Sequence, residues 1–99
     1  MNYFSLYISQ ITELCRKYNV RKLFAFGSVL TDRFSEQSDI DLIVDFDKKK
    51  IEDHFDNYFD FKYSLEDVFG RNVDLLEDQP IRNSCLRKSI ESTKTLIYG

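Results

Sequence analysis

Apolar residues at Phe4, Tyr7, Ile8, Ile11, Leu14, Cys15 and Tyr18 return every three or four positions, the spacing that turns one stripe of a helix toward a core. The pattern predicts a first helix ending near Asn19. Val20–Phe26 is apolar around Arg21 and Lys22 and too short for a helix, so it reads as a buried strand, punctuated by Gly27. Ser28 is placed to cap a short helix after it. Ile40–Phe46 is β-branched and near-continuous, as in a central strand with both faces covered, and a charged break over residues 47–50 ends it. A second long helix runs through Ile51, Phe55, Tyr58, Phe59, Leu65, Val68 and Phe69 and closes at Gly70, a residue suited to a left-handed C-terminal cap. Residues 72–77 read as a third strand. Pro80 opens a third helix carrying Ile81, Cys85, Leu86 and Ile90, and Thr95–Tyr98 forms a short edge strand.

This order implies an α/β chain: about four strands in a sheet covered by helices, with function at the strand ends and the loops beside them. At 99 residues it is read as one domain, residues 1–99. Nine Phe and six Tyr within 42% hydrophobic residues favour a packed core over disorder. Fourteen basic against seventeen acidic residues argue against a general polyanion-binding surface, so no direct nucleic-acid partner is expected. Cys15 and Cys85 lie far apart, without a CxxC and with one histidine, His54, so they read as small core hydrophobes and not as a zinc site or a disulfide framework. No apolar run approaches the roughly 20 residues of a membrane span, and no signal-peptide order opens the chain, so no membrane partner and a cytoplasmic location are expected.

The chemistry concentrates at the start of the second strand. Residues alternate faces and advance about 3.3 Å each, so Asp39 and Asp41 share one face with Cα atoms about 6–7 Å apart. Two like charges beside buried groups cost free energy unless a cation or a basic partner compensates. Magnesium fits, because it takes oxygen ligands and commonly uses one or two carboxylates plus substrate phosphates. Gly27-Ser28 supplies the complement, a backbone that a ligand can approach closely and free N–H groups for phosphate oxygens. Asp74 is a third carboxylate, embedded in the apolar strand Val73-Asp74-Leu75-Leu76. Pairing that strand with the one carrying Asp39 and Asp41 would bring all three together, a constellation suited to metal-assisted phosphoryl or nucleotidyl transfer.

Gly27-Ser28, ten intervening residues, Asp39-Ile40-Asp41 and the later Asp74 resemble the polymerase-β-type nucleotidyltransferases, in particular their minimal single-domain members, the MNT group. The resemblance spans nearly the whole chain. It implies an α+β fold with a mixed sheet, two magnesium ions held by Asp39 and Asp41, and Asp74 as the third acid and further metal ligand that helps to activate the attacking hydroxyl. It also implies a nucleotide-binding set of Gly27, Ser28, Arg33 and Ser38, with ATP as substrate. The chain departs from the pattern at Val29 and Leu30, where many relatives carry a small or basic residue and then a second glycine. Such minimal domains resemble the antitoxin half of a toxin–antitoxin pair. The implied function is an antitoxin that transfers AMP from ATP to a tyrosine hydroxyl of a HEPN-family ribonuclease partner, in a hetero-oligomer. The alternative is a module that neutralises the partner by binding alone.

The remaining polar features carry ordinary readings. Asp45 lies about 13 Å along the strand from Asp41, so it and Asp47 read as exposed strand-end charges. Lys48-Lys49-Lys50 reads as a solvated loop, and His54 as a surface residue without chemistry. The aromatics of the second helix read as core or partner interface, with Tyr63 the one most expected at the surface.

Overall fold

The chain enters its first helix through a 3-10 turn, Tyr3–Tyr7, and continues as α1, Ile8–Lys17. The computed structural model describes residues 3–27, 39–77 and 94–99. On the predicted stripe α1 buries Ile11 and Cys15, while Arg16 and Lys17 occupy its last turn, where positive charge suits the unpaired carbonyls. The helix ends at Lys17, and two residues on Asn19 adopts a left-handed φ of 60° that asparagine tolerates better than most residues. Burial pushes the Cys15 thiol up to about 12, so it stays protonated, in keeping with its reading as a core hydrophobe.

Four strands follow: β1 (Val20–Phe26), β2 (Ile40–Phe46), β3 (Val73–Glu77) and β4 (Thr95–Tyr98). They form one sheet in the order β3-β2-β1-β4. β1 runs antiparallel to both β2 and β4, whereas β2 and β3 are parallel, so the sheet is mixed as expected. A parallel pair needs a long crossover, and α2, His54–Phe69, supplies it. Asp53 caps α2 by accepting a hydrogen bond from the Asp56 N–H at 3.1 Å, and Gly70 ends it at φ 67°. The cap explains why α2 starts at His54 and not at Ile51, since Lys48–Lys50 is spent on an exposed 3-10 turn.

The core lies on one face of the sheet. Leu23 and Ala25 of β1, Ile40, Leu42, Val44 and Phe46 of β2, and Val73 and Leu75 of β3 meet Ile11 and Cys15 of α1 and Phe61, Leu65 and Phe69 of α2. Phe61 is the largest fully buried side chain and sets its ring edge-on to Phe46 at 5.8 Å. The helices are tied to each other where Asn57 Nδ2 donates to the Tyr18 carbonyl at 2.9 Å. Asp45 departs from its reading as an exposed strand-end charge, being half-buried and ion-paired. Arg21 donates to it at 3.0 Å across the β1–β2 pair, from the irregularity between Val20 and Lys22, where Lys22 is the register partner of Asp45. Among the described residues no helix is long and apolar enough to cross a membrane. The short helix expected after Gly27, the third helix near Pro80, and Cys85 lie outside the described residues.

Because Phe61 joins both helices to β2, Phe61→Ala should cost about 3–5 kcal/mol in urea unfolding with the slope unchanged. A loss below about 1 kcal/mol would show that the core does not depend on this contact.

Candidate active site

Strand alternation separates the core from the chemistry. Ile40 and Leu42 point inward, so Asp41 between them faces the opposite side of the sheet, and Asp74 stands in the same relation to Val73 and Leu75. The parallel register pairs Ile40 with Val73 and Asp41 with Asp74 directly. Neighbouring strands lie about 4.8 Å apart, so the two carboxylates come together on one face at the N-terminal ends of β2 and β3. Asp39, exposed, immediately precedes β2.

β1 completes the corner from the other side. Phe26 is the register partner of Asp41, and the next residue, Gly27, turns away at φ 76°. A Cβ there would run into the Asp41 carboxylate, meeting Oδ2 and lying 3.2 Å from Cγ. Glycine is therefore required twice, for its backbone angle and for the space it leaves. Gly27, Asp41 and Asp74 are brought together with Asp39 beside them. Ser28, Arg33 and Ser38 lie outside the described residues.

The electrostatics match this crowding. The Asp41 carboxyl is held above the ordinary aspartate range, first by burial and then by the negative charges of Asp74 and Asp39. Among the described residues no cation is ion-paired with any of the three. The donor set is carboxylate oxygen only, which suits a hard cation such as magnesium. Among the described residues no three acidic, histidine or cysteine side chains are gathered to hold an ion by themselves. Asp41 and Asp74, set side by side by the register, offer two carboxylates, a number that magnesium commonly combines with oxygens of a bound substrate.

Three side chains of α2 make contacts with β3 that the sequence reading did not assign them. His54 is half-buried and not a bare surface residue: its ring stands edge-on to Phe46 at 5.5 Å and its Nε2 lies 2.6 Å from Glu77 Oε1. This pair occupies the C-terminal end of β3, away from Asp41. The Tyr58 hydroxyl donates to the Leu75 carbonyl, and Glu66 accepts from the Val73 N–H at 2.9 Å. Burial and the charges of Glu77 and Asp74 push the Tyr58 phenol above its usual range. Helical periodicity marks Tyr58 as apolar and Glu66 as solvent-facing, so nothing local announces a bond to β3. Lys48-Lys49-Lys50 is exposed, as read.

The family model described as polymerase beta, nucleotidyltransferase, matches residues 9–99. A protein of Methanocaldococcus jannaschii, "Putative protein adenylyltransferase MJ1379", is 35% identical over 99 residues, covering 92% of this chain and 96% of its own. A solved structure described as a "putative minimal nucleotidyltransferase" superposes with a TM-score of 0.74 at 24% identity, covering 96% of this chain and 95% of its own. A chain from the complex of the tri-AMPylated Shewanella oneidensis HEPN toxin with its MNT antitoxin superposes with a TM-score of 0.64 at 18% identity, covering 96% of this chain and 71% of its own. At these identities the two structures speak for the fold.

The raised Asp41 carboxyl has a stability consequence with a definite sign. The folded chain binds this proton more tightly than the unfolded chain, so ionisation of Asp41 disfavours the fold. The penalty is absent below the ordinary aspartate range, grows as pH rises, and is complete above the raised folded value. In chelator, Asp41→Asn should therefore melt at the same or a higher temperature than the parent at pH 7, and the difference should vanish as pH falls below about 4. A variant that melts lower at pH 7 would contradict this electrostatic picture.

Proposed function

We propose, because this chain belongs to the polymerase β nucleotidyltransferase family, that it is a protein adenylyltransferase moving AMP from ATP to a tyrosine hydroxyl of a HEPN-type toxin, and so acts as that toxin's antitoxin. The observation that carries this reading is the parallel register that sets Asp41 against Asp74, with Gly27 folded over the Asp41 carboxylate. Its relatives support the chemistry: one bears the adenylyltransferase name, and another belongs to a complex whose toxin carries AMP.

In this reading Asp39 and Asp41 would hold two magnesium ions, with Asp74 as a further ligand, and the bound metal would supply charge neutralisation for the triphosphate oxygens. The open backbone at Gly27 admits the phosphates, and Ser28, Arg33 and Ser38 complete their binding. Asp74 orients the acceptor hydroxyl and takes its proton as the oxygen attacks the α-phosphorus. The bond from that phosphorus to the bridging oxygen breaks, and pyrophosphate leaves with the electron pair. The acceptor oxygen must come within about 3–3.5 Å of the phosphorus, which for a protein substrate requires a docking surface.

α2 offers such a surface. Phe55 and Tyr63 are 69% and 55% exposed, and with Phe59 between them form a stripe with ring centroids 4.7 Å and 5.9 Å apart. Exposed aromatic stripes of this kind commonly mark protein interfaces. Neutralisation by binding alone would use the same stripe and leave the carboxylate corner idle.

With ATP, magnesium and the toxin, Asp74→Asn should cut turnover about 10²–10⁴-fold while nucleotide affinity holds. An equal loss of both would make Asp74 chiefly a metal ligand. Docking and chemistry should also separate. Asp39→Asn combined with Asp41→Asn should still co-purify with the toxin but leave its intact mass unchanged, whereas Phe55→Ala or Tyr63→Ala should weaken the complex. Toxin that gains AMP from the double-Asn variant would sink the assignment.

A further inference from the structure

α2 does more than cross over from β2 to β3. The Ile40 N–H donates to the Asn72 carbonyl at 3.0 Å, which sets the parity of the parallel pair. In such a pair each residue turns its N–H and C=O to the same side. Asn72, Asp74 and Leu76 therefore address β2, while Val73, Leu75 and Glu77 present their backbone groups at the outer edge of the described sheet. An edge of this kind is satisfied by water or by covering groups. Here two side chains of α2 cover it: Glu66 Oε2 accepts from the Val73 N–H at 2.9 Å, and the Tyr58 hydroxyl donates to the Leu75 carbonyl. The two bonds fall on the residues immediately before and after Asp74.

Asp74 needs that support. It is exposed, sits in a strand of five residues, and among the described residues its carboxylate takes no hydrogen bond of its own. Its direction is thus inherited from the backbone on either side. We propose that Tyr58 and Glu66 are positioning residues for nucleotidyl transfer, clasping Val73 and Leu75 so that Asp74 stays beside Asp41 in the attitude that receives the acceptor hydroxyl. The inference rests on the role given to Asp74 above. It assigns no substrate contact to either side chain.

A double-mutant comparison on the full chain, with ATP, magnesium and the toxin, tests it. Tyr58→Phe and Glu66→Ala should each lower kcat about 10-fold, within the range expected of a small misplacement, while KM for ATP holds. Glu66→Gln retains an acceptor and should keep most of the activity. In an Asp74→Asn background neither Tyr58→Phe nor Glu66→Ala should cost anything further, because the group they position is gone. Amide hydrogen exchange gives a readout independent of turnover, with Val73 exchanging faster in Glu66→Ala than in the parent. If Asp74→Asn loses turnover but Tyr58→Phe and Glu66→Ala keep it, this inference alone falls. It falls also if the 10-fold losses persist in the Asp74→Asn background, or if Val73 exchange does not change. Should Asp74→Asn itself leave turnover intact, the role of Asp74 falls and the clasp loses its purpose with it.

Discussion

The parallel pairing of β2 with β3 is the contact from which both the core and the candidate site follow. Its register joins Ile40 to Val73 and Leu42 to Leu75 on the buried face, and by the same geometry Asp41 to Asp74 on the other. A slip of one residue would exchange the faces of a whole strand, burying a carboxylate among Phe61, Leu65 and Phe69 and exposing its aliphatic neighbours. Apolar burial therefore enforces the arrangement of the acids, although it gains nothing from them. The polar corner is held in place by forces that act on the opposite side of the sheet.

That arrangement carries an electrostatic cost. Asp41 lies partly buried between Asp74 and Asp39, and its carboxyl holds its proton above the ordinary range as a result. A chain selected for stability alone would place a neutral residue there, whereas the proposed role of this corner calls for negative charge left uncompensated by the chain itself. Gly27 shows the same compromise. Its positive φ and missing side chain forgo some backbone rigidity to leave room against the Asp41 carboxylate.

α2 links these demands. Its buried stripe fills the core, Phe55 and Tyr63 face solvent on either side of the half-buried Phe59, and Tyr58, Glu66 and His54 reach β3 from its flank. One helix thus touches the core, the strand that carries Asp74 and the exposed aromatic stripe. Its length follows from the parallel pair it connects, since shorter links suffice only for antiparallel neighbours.

Much of this was legible along the chain. Val20–Phe26, Ile40–Phe46 and Thr95–Tyr98 are strands with the bounds their apolar runs imply, and Gly70 ends α2 in the left-handed conformation its position called for. Asp41 is turned away from Ile40 and Leu42 by the two-residue period of a strand, a local property that needs no partner. Which strand would lie beside them is not local. The pairing of Asp41 with Asp74 spans more than thirty residues and depends on packing α2 across the sheet. The bonds from Tyr58 and Glu66 to the β3 edge, the Arg21–Asp45 ion pair and the docking of His54 on Phe46 and Glu77 belong to the same class. Periodicity tells each residue which way to face, because that follows from backbone geometry within a few residues. What it faces is settled by register and by the closure of long loops, and these come from the summed burial of the whole core.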